Sequence, residues 1–301
     1  MGAPEVGYFH PKWRLDDGVD ALREVAEAVA TEAAEFVALR RREVFDGAGP
    51  AADGDAVRAK STPTDPVTVV DTETEALLRR RLAELRPGDA LLGEEGGATA
   101  AAEAGPDTVT WVLDPIDGTV NFVYGIPAYA VSVAAQIGGV SVAGAVADVA
   151  GGALYSAARG AGAHLRDAHG RRRLRCRGPE QSGQLALALV GTGFGYAPER
   201  RAAQAGLLAG LLPQVRDIRR IGSAALDLCQ LAAGRLDAYY EHGLNVWDWA
   251  AGALIAAEAG ARVWLAPPEQ GGAGLTAAAA PGVADEFWTA LGALGAHPPL
   301  R

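Results

Sequence analysis

From Val19 to Val44 apolar side chains return every three or four positions, at Leu22, Val25, Val29, Ala33, Phe36 and Val37. That period predicts a long helix with one buried stripe. Residues 1–16 lack such a pattern, and 47–55 is a Gly/Ala/Pro/Asp loop. A second helical stripe runs through Leu77, Leu78, Leu82 and Leu85. Thr72-Glu-Thr-Glu75 reads as its capping box, and Pro87-Gly88 stops it. Short unbroken apolar runs follow, ending at Leu92 and Leu113, and these read as buried strands. Extended segments at Tyr129 to Ile137, Val140 to Val149 and Leu154 to Leu165 are separated by Gly138-Gly139 and Gly151-Gly152, which predicts an antiparallel meander. A second α/β part then unfolds in order: strand Leu185 to Gly191, helix Pro198 to Leu212, strand Val215 to Ile221, helix Ala224 to Ala232 and strand Leu236 to Tyr240. It closes with helix Ala250 to Ala259, strands Arg262 to Leu265 and Leu275 to Ala280, and a last helix from Pro281 to about Leu294. The pattern predicts one compact unit over 1–301, with an N-terminal half over about 17–180 and a C-terminal half over about 181–295.

Chemistry enters where the strands end. Val109 to Leu113 runs into Asp114-Pro-Ile-Asp-Gly-Thr119, so two carboxylates stand on a tight turn just past a buried strand. Pro115 fixes φ there, and Gly118 lets the backbone approach a ligand. A short helix from Thr119 would aim its first N–H groups at an anion. The strand ending at Leu92 repeats the theme, with Gly93-Glu94-Glu95 behind it. In open α/β sheets the carboxyl ends of strands are where ligands bind. Each Asp-Pro or Asp-Gly pair alone is ordinary turn punctuation. Asp71 reads as a helix-start residue. Asp65 precedes Pro66, which disfavours helix there, and it has no cap to make. Asp248 stands where an N-cap belongs, ahead of the Ala-rich helix.

Composition narrows the classes. Over 301 residues the formal net charge is −10, which sets the chain against a nucleic-acid surface. The arginine runs fit solvated helix faces and a hairpin. Two cysteines, Cys176 and Cys229, make neither a disulfide framework nor a zinc site. With no signal-like leader and no apolar run long enough to span a bilayer, the expectation is a soluble, cytoplasmic protein without a membrane partner.

Taken together, Glu94, Asp114, Asp117 and Asp248 would crowd four negative charges into one cleft, and they would repel or hold protons without cations. Hard oxygen ligands with no His or Cys beside them suit Mg²⁺ or Mn²⁺. Two ions would neutralise the four acids with Asp114 between them, and a third, weakly held ion would balance an arriving phosphate. Such a pair clamps both oxygens of an in-line displacement, so no protein nucleophile is required. Thr119 would orient the attacking water, with Glu94 or Asp65 as proton acceptor.

At these residues the sequence resembles the inositol monophosphatase family. The segments that carry the resemblance are Gly93-Glu-Glu95, Trp111-Val-Leu-Asp-Pro-Ile-Asp-Gly-Thr119, Trp247-Asp248, Asp65-Pro-Val-Thr-Val-Val-Asp71 and Gly222-Ser-Ala-Ala225. It extends over roughly Val19 to Ala280. In the runs Arg219 to Asp227 and Leu236 to Gly243 the sequence is most similar to the mycobacterial-type members. The resemblance implies an α/β (α+β) fold, an α-β-α-β-α layered sandwich of the inositol monophosphatase/fructose-1,6-bisphosphatase type. It also implies a homodimer, two to three Mg²⁺ ions per site and inhibition by lithium. By the same likeness Glu94, Asp114 and the Ile116 carbonyl would hold one ion, and Asp114, Asp117 and Asp248 a second. Glu94 would also touch the third. Thr119 and Asp65 would belong to the water-activating network, and the N–H groups of Gly118 and Thr119 would receive phosphate. Ser223, Glu241 and Asp248 would meet the hydroxyls of a sugar alcohol, and Lys60 falls in the family's mobile segment. Thr192-Gly-Phe-Gly-Tyr196 departs from the animal enzymes' pattern. The implied activity is hydrolysis of myo-inositol 1-phosphate. Relatives of the same fold act on fructose 1,6-bisphosphate, histidinol phosphate or 3′-phosphoadenosine phosphate, and some bacterial ones are RNA-associated regulators.

Overall fold

Two large β-sheets layered with helices, and a small antiparallel two-stranded one, make up the computed structural model, which describes residues 18–45, 57–59, 66–101, 105, 108–178, 180, 183–266 and 274–297. The first half runs α1 (Gly18–Phe45), β1 (Val57–Ala59), β2 (Pro66–Thr68), α2 (Val69–Leu85), β3 (Ala90–Gly93), β4 (Gly97–Thr99), β5 (Val109–Asp117), α3 (Thr119–Tyr124), β6 (Ala130–Ile137), β7 (Val140–Asp148), β8 (Ala153–Ala158), β9 (Gly162–Asp167) and β10 (Gly170–Arg173). The second runs β11 (Leu189–Thr192), α4 (Pro198–Leu211), β12 (Asp217–Arg219), α5 (Ala224–Ala232), β13 (Ala238–His242), α6 (Val246–Glu258), β14 (Arg262–Ala266), β15 (Leu275–Ala279) and α7 (Ala284–Ala293).

The larger sheet has the order β10-β9-β8-β7-β6-β5-β3-β4, antiparallel except for the parallel pair β3/β5. Its central strands read as continuous apolar runs because both faces are covered. On one face lies α1, whose Leu22, Ala26, Val29, Ala30, Ala33 and Val37 form the buried stripe, with α2 beside it. On the other lie α5 and α6, whose Ala225, Leu226, Cys229, Ala251, Leu254 and Ile255 meet Val112, Val146, Tyr155 and Leu165. The opposite sides of α5 and α6 pack on the second sheet, of order β12-β11-β13-β15-β14, through Leu228, Ala253, Tyr239 and Ala278. Finally α4 and α7 cover the far face of that sheet with Leu207, Leu211, Phe287 and Leu291. The layering is α-β-α-β-α, as the resemblance implies. No described helix is long and apolar enough to cross a membrane.

Small residues set the spacing of the middle layer. A Cβ added to Gly144 on β7 would stand 3.1 Å from the Ala251 methyl and 3.1 Å from the Val133 carbonyl. The helix α6 therefore lies nearly backbone-to-backbone against the sheet.

Several boundaries differ from those the pattern predicts. Helix α2 starts one turn early. Its N-cap is Thr68, whose hydroxyl accepts from Val70 N–H, and Asp71 at the third position closes the box by accepting from Thr68 N–H at 2.9 Å. Thr72 and Glu75 do not form the expected box. At α6 the N-cap is Asn245, and Asp248 is three residues inside, accepting from Asn245 N–H at 2.6 Å. In both cases the N-terminal turn offered two acceptor positions, and the residue at the third helical position took the carboxylate's part. Leu185–Leu187 is a 3₁₀ turn, so the strand there starts only at Leu189, and α7 begins at Ala284 after a turn. β5 runs on past Leu113 to Asp117, with a break in its register against β6 between Asp114 and Asp117.

Candidate active site

The register break at the end of β5 makes the site. Asp114 still pairs with Ser132 and Asp117 with Ala130, so two intervening residues bulge out. The turn is fastened from within, since Ile116 N–H donates to Asp114 Oδ1 at 3.0 Å. A bulge re-aims side chains, and here it turns both carboxylates to the same side. Asp248 arrives on the first turn of α6, which the Ser132 hydroxyl ties to the strand by a 3.4 Å bond to the Trp247 carbonyl. One carboxylate oxygen from each of Asp114, Asp117 and Asp248 lies within 4.8 Å of the others. These oxygens fall within reach of a shared small cation, and no basic side chain intervenes as a direct bonded partner among the described residues. Oxygen-only donors favour a hard divalent ion over zinc or copper.

The electrostatics carry the same message. Burial pushes the Asp114 carboxyl well above the usual carboxylate range, and the charges of Glu94, Asp117 and Asp248 push it further. Asp248 is raised by burial and then by Asp117 and Glu94, against the Asn245 N–H that favours its charge. Asp117 rises to about 6 by burial, held back by its bonds from Ser223 and Ala225. Without cations, carboxylates this crowded retain protons. Their ionised forms call for positive charge from outside the chain. Glu94, on the turn after β3, bears on all three through its charge.

Around the cluster the structure distributes the other residues singled out by the sequence. Ser223 is the N-cap of α5, donates to Asp117 Oδ2 at 2.6 Å and accepts from Leu226 N–H at 3.3 Å, while Ala225 N–H reaches the same Asp117 oxygen at 2.7 Å. The second half of the chain thus holds the first half's carboxylate in place. Thr119 Oγ1 stands 3.1 Å from Asp71 Oδ1 and 3.0 Å from the Ile116 carbonyl, and its one proton serves one of them at a time. Glu241, near the end of β13, is half-buried and accepts from the Tyr239 hydroxyl at 2.8 Å. Burial carries its carboxyl up to about 7, against the Tyr239 bond and the Arg220 charge. In the Thr192 to Tyr196 segment, a Cβ on Gly193 would overlap the Glu241 carboxyl, so that glycine makes its room.

Asp65 and Lys60 lie outside the described residues. Asp71, read from the sequence as a helix-start residue, does cap α2, and its second oxygen meets the Thr119 hydroxyl. Sequence reasoning missed that second use because the partner is 48 residues away. The spacing Asp71 to the first turn of a helix was the available signal, but it spoke equally for capping.

Gly118 joins β5 to α3 with φ +98°, and a Cβ there would stand 3.0 Å from the Ala128 carbonyl and 3.1 Å from the Gly222 carbonyl. Both the backbone angle and the neighbours exclude a side chain. Gly118→Ala is expected to cost about 2 kcal/mol, measured as a lower urea midpoint at unchanged slope.

A family model described as "Inositol monophosphatase family" matches residues 19–293. The Mycobacterium tuberculosis protein named "Inositol-1-monophosphatase SuhB" is 68% identical over 281 residues, 92% of this chain and 96% of that protein. The solved structure of Mycobacterium tuberculosis SuhB superposes with a TM-score of 0.77 at 59% identity, covering 93% of this chain and 99% of that one. A Vibrio cholerae protein named "Nus factor SuhB" is 41% identical over 200 residues, 66% of this chain and 71% of that protein.

Proposed function

Because the chain belongs to the inositol monophosphatase family and is a phosphatase of that kind, we propose that it hydrolyses myo-inositol 1-phosphate to myo-inositol and phosphate with Mg²⁺. The observation that carries this reading is the convergence of Asp114, Asp117 and Asp248 oxygens within 4.8 Å. Glu94, Asp114, the Ile116 carbonyl, Asp117 and Asp248 would hold two to three ions. Bound divalent ions supply the charge that offsets the phosphate oxygens and make water nucleophilic near neutral pH.

The chain's own residues do the rest. Asp71 draws the Thr119 proton, which leaves the threonine lone pairs to accept from a water and hold it in line with the phosphorus. Glu94, or Asp65, takes the proton that this water sheds. The N–H groups of Gly118 and Thr119 receive the phosphate oxygens, as a glycine turn opening a helix allows. On the alcohol side Glu241, Ser223 and Asp248 meet the hydroxyls. Ser223 has already committed its proton to Asp117, so it acts there as an acceptor. The resemblance extends the reading to a homodimer inhibited by lithium, and the sequence pattern to a cytoplasmic location. The −10 charge of the chain sets it against nucleic acid as a partner.

The test is a substrate panel at fixed Mg²⁺. Phosphate release is expected to show its highest kcat/KM with myo-inositol 1-phosphate, ahead of fructose 1,6-bisphosphate, histidinol phosphate and 3′-phosphoadenosine phosphate. A higher value for any of the other three would overturn the substrate assignment while leaving the phosphatase standing.

A further inference from the structure

Helix α2 carries Asp71, Glu75 and Arg79 at intervals of four, which places them along one side of the helix. The first meets Thr119. The other two grip the turn that bears Glu94. The Glu75 carboxylate, only 3% exposed, accepts from Glu95 N–H at 2.7 Å, from Gly96 N–H at 2.8 Å and from Arg79 Nε at 2.7 Å. Arg79 reaches on to the Gly97 carbonyl at 2.6 Å and the Thr99 hydroxyl at 3.1 Å. Gly93 makes this possible, since a Cβ there would collide with the Glu75 carboxylate.

The turn needs such a grip. β4 is exposed along its whole length, and the Glu94 N–H meets the Leu113 carbonyl at 3.2 Å, the long end of the range. The half-buried Leu91 and Leu92 tie β3 to the core, whereas β4 buries none of its residues, so the turn and the outer strand rest on polar bonds. Hydrogen bonds from backbone N–H groups to a buried, ionised carboxylate are the stronger kind.

We propose that Glu75 is a positioning residue: with Arg79 it fixes the backbone of the Glu94 turn and so sets where the Glu94 carboxylate stands relative to Asp114, Asp117 and Asp248. The proposal rests on the reading of that cluster as a divalent-cation site. Glu75 touches neither cation nor substrate and acts only through Glu94.

The experiment is calorimetric titration of the metal-free protein with Mg²⁺, and with Mn²⁺ as a tighter probe, for the wild type, Glu75→Gln, Glu94→Ala and the double variant. Glutamine keeps the shape but turns one acceptor into a donor facing donors. Glu75→Gln is expected to raise Kd about tenfold or more, and the double variant to bind no more weakly than Glu94→Ala alone. Unchanged affinity in a folded Glu75→Gln protein, or losses that multiply in the double variant, would overturn the proposal. Unchanged affinity in Glu94→Ala would overturn it as well, since Glu75 acts only through Glu94, whereas failure of the wild type to bind either ion would instead remove the cation-site reading on which it stands. If Glu75→Gln does not fold, Arg79→Gln replaces it; a smaller loss in the same direction supports the proposal, and no loss overturns it.

Discussion

Asp114→Asn lowers phosphate release by at least about a thousandfold, equivalent to roughly 4 kcal/mol of transition-state stabilisation, and leaves the fold standing. The shape survives because an asparagine oxygen can still accept the Ile116 N–H that pins the turn. What is lost is charge at the centre of the cluster, the carboxyl that Glu94, Asp117 and Asp248 all bear upon. The same loss has the opposite sign for the empty protein. A buried acid raised by burial and by like charges works against folding once it ionises. The metal-free variant is therefore expected to melt above the metal-free wild type at pH 8, whereas Mg²⁺ raises the melting temperature of the wild type alone. Turnover near the wild-type level, or a Mg²⁺-induced rise equal to that of the wild type, would contradict the site as described.

Glu241→Gln flattens the pH dependence of stability between about pH 4.5 and 7. The native carboxyl is raised from the ordinary 4.5 to about 7, chiefly by burial. In that window the native state holds a proton that the unfolded chain has released, so stability falls as pH rises and levels off above the native pKa. The full effect is at most about 3 kcal/mol. A glutamine carries no charge to lose, and its oxygen can still accept the Tyr239 hydroxyl. Urea unfolding of the metal-free protein at pH 5 and pH 8 is expected to give the variant little advantage at the lower pH and a gain of about 1–3 kcal/mol at the higher. Parallel losses in both proteins would show that Glu241 does not titrate in this range. Asp227 reinforces the expectation, since it too is raised by burial and then by Glu241.

Local rules made part of this molecule legible and hid another part. The stripe of α1, the meander β6 to β9 and the turn Asp114 to Thr119 follow from periodicity and turn chemistry, which act over a few residues. The helix starts of α2 and α6 differ from the pattern because Thr68 and Asn245 cap them, and apolar periodicity does not distinguish between neighbouring capping residues. Asp71 and Asp248 expose the deeper reason. A carboxylate at the third position of a helix can satisfy a backbone N–H with one oxygen and serve a distant partner with the other. Spacing reveals only the first use. Glu75 is a similar case: read as half of a capping box, it instead binds N–H groups 20 and 21 residues away. The resemblance to a family, carried by whole motifs, pointed to Asp248 as a site residue where the local reading favoured a cap. Ser223 shows the limit of carrying roles over one by one, for its hydroxyl is engaged first with Asp117.

Helix α6 touches both sheets, and its first turn delivers the third carboxylate to a strand laid down much earlier in the chain. A growing polypeptide that has completed the larger sheet still lacks that acid, and nothing local can substitute for it. Cation affinity thus becomes a report on whether the far end of the molecule has docked. Long-range contacts of this kind form slowly, and an ion that needs all three acids could be held only after that docking. Ions that bind only the finished arrangement then act as a latch between layers, favouring the closed architecture by mass action.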